Sequence, residues 1–178
     1  YEVIVTRLAS SDNNLKSLSV TGYIISPTFS SNETEYTLSV PYSVESVTIN
    51  ATVNNNEASL TGTGSKTLAV GANTATVVVT AGDGTKKNYT IVITREKDTV
   101  NTLSSLSLTG CTLSPAFASG TTEYTCTVEN SVTKTTVTAE ATSSVAEVSG
   151  TGSKTLSVGK NTVNVVVKAQ NGVEKTYT

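Results

Sequence analysis

Histidine is absent from the 178-residue chain, and so are tryptophan and methionine. Without histidine the chain lacks the commonest general base, the commonest metal-binding side chain and every nucleophilic triad of ordinary form. A pair of carboxylates is the remaining route to glycoside cleavage. However, Glu33, Glu35, Glu45, Glu57 and Asp83 fall in expected turns and strand edges, with no tryptophan platform nearby. Charge is sparse as well. The 12 Lys and Arg residues are scattered, only Lys86 and Lys87 being adjacent, against 14 acids, a net charge of −2, so the basic footprint that phosphate recognition needs is missing. No run approaches the roughly 20 apolar residues of a membrane span, and no basic segment precedes an apolar one at Tyr1. These absences point away from an enzyme, a resident cofactor, a metal site and a nucleic-acid partner. They lead us to expect a soluble segment, with any signal or anchor outside it.

What is present is Thr, Ser, Val and Asn in quantity, a balance that favours strands and turns over helices. The chain is also an internal repeat. A constant step of 88 residues carries Leu15 onto Leu103 and aligns everything that follows without a gap. Leu18, Ser19, Thr21 and Gly22 recur as Leu106, Ser107, Thr109 and Gly110, and the run GTGSKTL at residues 62–68 returns at 150–156. About half of the compared positions are identical, so the two copies must share a fold. The same step maps Tyr1, Val3, Val5, Thr6 and Arg7 onto Tyr89, Ile91, Ile93, Thr94 and Arg95.

Alternation with period two marks the strands: Leu18 and Val20; Tyr36, Leu38 and Val40; Val47, Ile49, Ala51 and Val53; Ala75, Val77, Val79 and Ala81; Tyr89, Ile91 and Ile93. Further strands are expected at residues 58–60 and 66–70, about seven in all. Gly22, Pro27, Pro41, Gly62, Gly64, Gly71 and Asp83-Gly84 supply turn conformations between them. Gly71 and Asn73 predict one hairpin and Asp83-Gly84 another, which would make the last three strands a meander. The expected fold class is all-β: two tandem immunoglobulin-like antiparallel β-sandwich modules of about seven strands each. The modules are expected at residues 15–95 and 103–178, the second with an incomplete last strand. Linkers are expected at 8–14 and 96–102, short enough to hold neighbouring modules semi-rigidly. Residues 1–7 read as the last strand of a preceding repeat or as a donor strand.

The chain resembles the cadherin-like β-sandwich family, found in tandem in bacterial surface and secreted proteins. The resemblance rests on five features that occur twice. They are the openings from Leu15 and Leu103, the Ser-Pro-x-Phe segments ending at Phe29 and Phe117, the Glu-Tyr-Thr strands at Tyr36 and Tyr124, the Gly-Thr-Gly-Ser-Lys turns, and the Tyr-Thr endings at Tyr89 and Tyr177. The resemblance implies an extracellular or cell-surface repeat that spaces or displays other domains, and it brings no catalytic residues. Its implied partners are neighbouring repeats or like subunits, with surface glycans or proteins as further possibilities. The alternative functions are a filament subunit assembled by strand complementation and a carbohydrate-binding module. Calcium, which binds true cadherins at their junctions, is not expected. Asp12, Asn13 and Asn14, and Glu96, Asp98 and Asn101, are too thin a set for a cation that takes six to eight oxygens, and solvated linkers are expected instead.

Cys111 and Cys126 are the only cysteines, and they replace Tyr23 and Leu38 of the first copy. A disulfide is expected between them, with Cys126 on the inward face; two buried free thiols are the alternative. Tyr1, Val3 and Val5 are the strand-donor candidates, since burying each valine in a neighbour's sheet would contribute roughly 1.5–3 kcal/mol. Lys66 with Asn73, and Lys154 with Asn161, are read as turn residues and not as isopeptide partners. Tyr23 and Tyr42 are expected to cover local surface. Three glycosylation-type triplets, at Asn32, Asn50 and Asn88, carry no assigned role.

Overall fold

The computed structural model describes residues 1–178 and divides into two compact units, Tyr1–Lys97 and Asp98–Thr178. Every regular element is a strand. Unit 1 contains β1 (Leu15–Val20), β2 (Glu35–Val40), β3 (Ser46–Val53), β4 (Ser59–Thr61), β5 (Gly64–Thr67), β6 (Gly71–Thr80) and β7 (Lys86–Arg95). Unit 2 contains β8 (Leu103–Leu108), β9 (Lys134–Ala141), β10 (Glu147–Ser149), β11 (Gly152–Thr155), β12 (Val165–Lys168) and β13 (Glu174–Tyr177).

Unit 1 is a two-sheet sandwich, with β1-β3-β5 in one sheet and β2-β7-β6-β4 in the other. The alternating residues read from the sequence are the ones that face inward. Tyr36, Leu38 and Val40 of β2, Val47 and Ile49 of β3, Val77 and Val79 of β6, and Tyr89, Ile91 and Ile93 of β7 are all buried. Each such Val or Ile contributes roughly 1.5–3 kcal/mol by leaving water, which is what selects the sandwich over an open sheet. β7 is central. It pairs antiparallel with β6 over its whole length and parallel with β2 from Glu35↔Thr90 to Val40↔Arg95.

Three details depart from the sequence reading. The β2–β7 pair is parallel, where only antiparallel strands were expected. β5 spans Gly64–Thr67, not residues 66–70. β5 also pairs with β3 in the opposite sheet, so the expected meander of the last three strands reduces to the β6–β7 hairpin closed at residues 81–85. At the other expected hairpin the Asn73 side chain accepts the Ala69 N–H and donates to the Ala69 and Gly71 carbonyls. With Gly71 at φ 94°, that clasp turns the chain from one sheet to the other. A turn residue fixes a change of direction; the sheet that receives the next strand is decided by the cores.

Unit 2 repeats the plan with sheets β11-β9-β8 and β10-β12-β13, and its six strands surround Leu103, Val137, Val165, Val167 and Tyr177. Its second sheet is less extensive. β12 has four residues where β6 has ten, and residues 123–128, the counterpart of β2, are held by the Ser114↔Thr125 bridge and by the Tyr124 N–H, which donates to the Thr178 carbonyl.

Candidate functional site

Just ahead of each module the backbone is tied down by polar groups. In unit 1 the Ser10 carbonyl accepts the Asp83 N–H at 3.0 Å, and its hydroxyl accepts from Asn55 Nδ2 at 2.9 Å. Asp12 then accepts from Asn54 Nδ2 at 2.7 Å and from the Asn14 N–H and side chain. In unit 2 the Asp98 carbonyl accepts the Asn171 N–H at 3.1 Å, and the Asp98 N–H donates to Gln170 Oε1 at 3.0 Å. The Asp98 carboxylate accepts from Ser143 Oγ and from the Val100 N–H. Ser10 and Asp98 are equivalent, as are Asn55 and Ser143, so one latch is built twice with the same direction of donation and different side chains.

Electrostatics follow from the donors. The Ser143 hydroxyl, then the Val100 N–H, hold the Asp98 carboxyl below the ordinary carboxylate range. Asn54, then the Asn14 N–H, do the same for Asp12, and the Thr85 hydroxyl for Asp83. Asp98 is one of two buried polar residues, at 8% exposure, while Glu96, Lys97, Thr99 and Val100 around it are exposed. At the far end of β7 the Glu96 N–H donates to the Val40 carbonyl and Ser39 Oγ to the Glu96 carboxylate.

Two buried tyrosines fasten the first strand of each module. The Tyr89 hydroxyl accepts the Leu15 N–H at 3.2 Å and donates to the Ser31 carbonyl at 2.9 Å. Tyr177 repeats this with Leu103 at 3.1 Å and Ser119 at 2.7 Å. A phenol buried in a sandwich core needs such partners. The recurrence of Tyr at positions 89 and 177 was the available signal for this staple. The latch gave no such signal, because its residues differ between the copies.

Cys111 and Cys126 are joined as a disulfide, their Cα atoms 5.8 Å apart. Cys126 is exposed and Cys111 is half-buried. In unit 1 the equivalent Leu38 is covered because residues 91–95 of β7 lie beside β2; the sequence stops at Thr178, before any counterpart of those residues. The donor candidates Tyr1, Val3 and Val5 lie outside every sheet; Val3 is 83% and Val5 86% exposed.

The remaining candidates stand apart from one another. Tyr23 and Tyr42 are half-buried, and Tyr42 is engaged by Arg95, whose guanidinium carbon lies 4.9 Å from the ring centroid and whose Nε donates to the Tyr42 carbonyl. Lys66 and Lys154 sit in β5 and β11, while Asn73 and Asn161 clasp the turns at residues 69–73 and 157–161. Nowhere do three acidic or cysteine side chains converge as they would around a metal ion. One surface concavity is lined by Asn14, Leu15, Phe29, Ser30 and Asn54, and another by Arg7, Leu8, Glu57 and Gly82. In the second, Glu57 is already paired with Arg7 at 2.8 Å. Neither brings a nucleophile and a base together.

Comparison with known families agrees with this arrangement. The cadherin-like beta sandwich domain matches twice, at residues 15–96 and 103–178. The chain belongs to the cadherin-like β-sandwich family. No curated protein sequence matches it. Both cadherin-like matches begin at the strand that the tyrosine staple fastens, and the first ends at Glu96, beside the last residue of β7. The latches at Ser10 and Asp98 lie ahead of the matched residues, yet are bonded into the module that follows.

Proposed function

We infer that this chain is a non-catalytic structural repeat of a bacterial extracellular or cell-surface protein, one that spaces or displays whatever is joined to its ends. The observation that carries the reading is the path of the chain through unit 1. It enters at Leu15, beside Val53 of β3 and the Tyr89 hydroxyl. It leaves at Arg95, whose Nη1 donates to the Leu68 carbonyl, next to the other end of β3, where Ser46 pairs with Thr67. Entry and exit are at opposite ends of the sandwich, so unit 1 adds its own length to the path. Two family repeats with no convergent reactive side chains fit that role.

A spacer is replaceable and a ligand-binding module is not. In a surface-displayed protein carrying a terminal epitope, exchange of residues 10–178 for an unrelated tandem sandwich of similar length should preserve antibody access. A flexible Gly/Ser chain of equal residue number should reduce access. Loss of adhesion after the sandwich exchange would contradict the spacer reading and favour a ligand-binding one.

The filament reading draws on the exposed Val3 and Val5, which repeat the pattern of the buried Ile91 and Ile93. It predicts concentration-dependent association that disappears when residues 1–7 are deleted. A carbohydrate-binding role has less support, because Tyr36, Tyr89 and Tyr177 are spent in the cores.

A further inference from the structure

The positions at which tension would enter and leave each unit differ, and the hydrogen-bond ladders respond to that difference. In unit 1 a pull on the chain acts at Leu15 and at Arg95. β1 runs from Leu15, opposite Val53, to Val20, opposite Ile49, and its only sheet partner is β3. Ladder bonds of an antiparallel pair lie across the strands. A pull on Leu15 along β1 therefore loads the whole β1–β3 ladder at once, in shear. At the other end a pull on Arg95 runs along β7, which is held on both sides, by the ten-residue β6–β7 register and the six-residue β2–β7 register. Both loaded strands are in shear, in opposite sheets, and the core of Leu18, Val20, Ile91 and Ile93 lies between them.

Unit 2 receives load differently when the 178-residue chain is held at its ends. The Leu103 N–H donates to the Tyr177 hydroxyl at 3.1 Å, so the entry at Leu103 and the exit at Thr178 lie at the same end of that sandwich. The line of force crosses the sandwich, and β13, paired with β12 over four residues and followed by the Thr178 bonds to Thr122 and Tyr124, is peeled one bond at a time.

We propose that the cadherin-like module is a tension-bearing link. Its first and last strands resist load in shear from opposite ends of the sandwich, and the Tyr89 staple and the Ser10 latch hold the entering chain at the end where that geometry requires it. This rests on the spacer reading and goes further, because a passive spacer needs length but no particular resistance to force.

The test is single-molecule force spectroscopy on the full chain, with handles first at its two ends. Two unfolding steps are expected, unit 2 at the lower force and unit 1 at the higher. They are told apart by the extra length that unit 2 releases once Cys111–Cys126 is reduced. In a second geometry the handles are moved to the exposed Lys16 and Asn88 through Lys16→Cys and Asn88→Cys, the native bridge leaving no other free thiol. Both positions lie at the Tyr89 end, so unit 1 should now unfold at a severalfold lower force, while its thermal midpoint stays that of the parent. Equal forces in the two geometries, or a higher force at Lys16 and Asn88, would overturn the proposal. Rates of forced unfolding report the barrier and not the equilibrium stability, so the unchanged midpoint separates direction of load from loss of fold. The replacement experiment does not depend on unfolding force, so the spacer reading can survive failure of this one.

Discussion

The two units carry the same repeat, and residues 91–95 are present in the first while the sequence ends at Thr178, before their counterparts in the second. In unit 1 the parallel β2–β7 pair covers Leu38 and Val40, and Leu68 is buried in the same core. In unit 2 the equivalent Cys126 is exposed, and Val128 and Leu156 are only half-buried. Leu103, Val137, Val165 and Tyr177 remain buried at the other end. One end of the module is thus organised locally by the staple and latch, while the other depends on residues 91–95. The disulfide sits in the second unit, where it joins the counterparts of Tyr23 and Leu38.

If the framework common to both units is what specifies the fold, its tightest point should be equally intolerant in each. A Cβ at Gly62 would overlap the Thr76 carbonyl oxygen, and one at Gly150 the Asn164 carbonyl oxygen, with φ at 89° and 85°. Gly62→Ala and Gly150→Ala should each cost about 3 kcal/mol or more in their own unit by chemical denaturation. Tolerance of either would break the equivalence. Reduction of Cys111–Cys126 should sharpen the contrast. The bridge closes a separation of 15 residues, so its loss should destabilise unit 2 by about 3 kcal/mol in the chain-entropy account and leave the unit 1 transition in place. Mass spectrometry of the non-reduced protein checks that the bridge is formed.

Smaller effects separate the staple from the latch. Tyr89→Phe leaves the Leu15 N–H and the Ser31 carbonyl without the hydroxyl and should cost about 1–3 kcal/mol; Tyr177→Phe should do the same in unit 2. The latch should show in the pH dependence. Because the folded-state pKa of Asp98 is lowered, its contribution is complete above the unfolded-state value and is lost as pH falls through the folded one. Asp98→Asn should therefore lower unit 2 stability most at neutral pH, converge with the parent in acid, and so flatten the acid side of the unit 2 stability curve. Unit 1, with Ser10 at the equivalent place, should be unchanged by that substitution.

Much of this was legible in the sequence. The alternation in residues 36–40, 47–53, 75–81 and 89–93 located the core strands and their inward faces, because a strand half-covered by a sheet must alternate. The step of 88 residues gave the two-unit organisation. Sheet membership was not legible, since Gly71 and Asn73 specify a turn without specifying which sheet the chain joins after it. Nor was the parallel β2–β7 register, whose partners are more than 50 residues apart in sequence. The exposure of Cys126 escaped a local reading because it depends on a strand elsewhere. The latch escaped because Ser10 with Asn55, and Asp98 with Ser143, reach the same hydrogen-bonded result through different side chains.

Native-state hydrogen exchange tests most directly the claim that the parallel pairing with residues 91–95 closes the module. The account predicts that the amides of Leu38 and Val40 exchange only through near-global unfolding of unit 1, while those of Cys126 and Val128 exchange at rates close to those of unstructured chain and Val165 and Val167 remain protected. Equal protection at Leu38 and Cys126, and at Val40 and Val128, would contradict it.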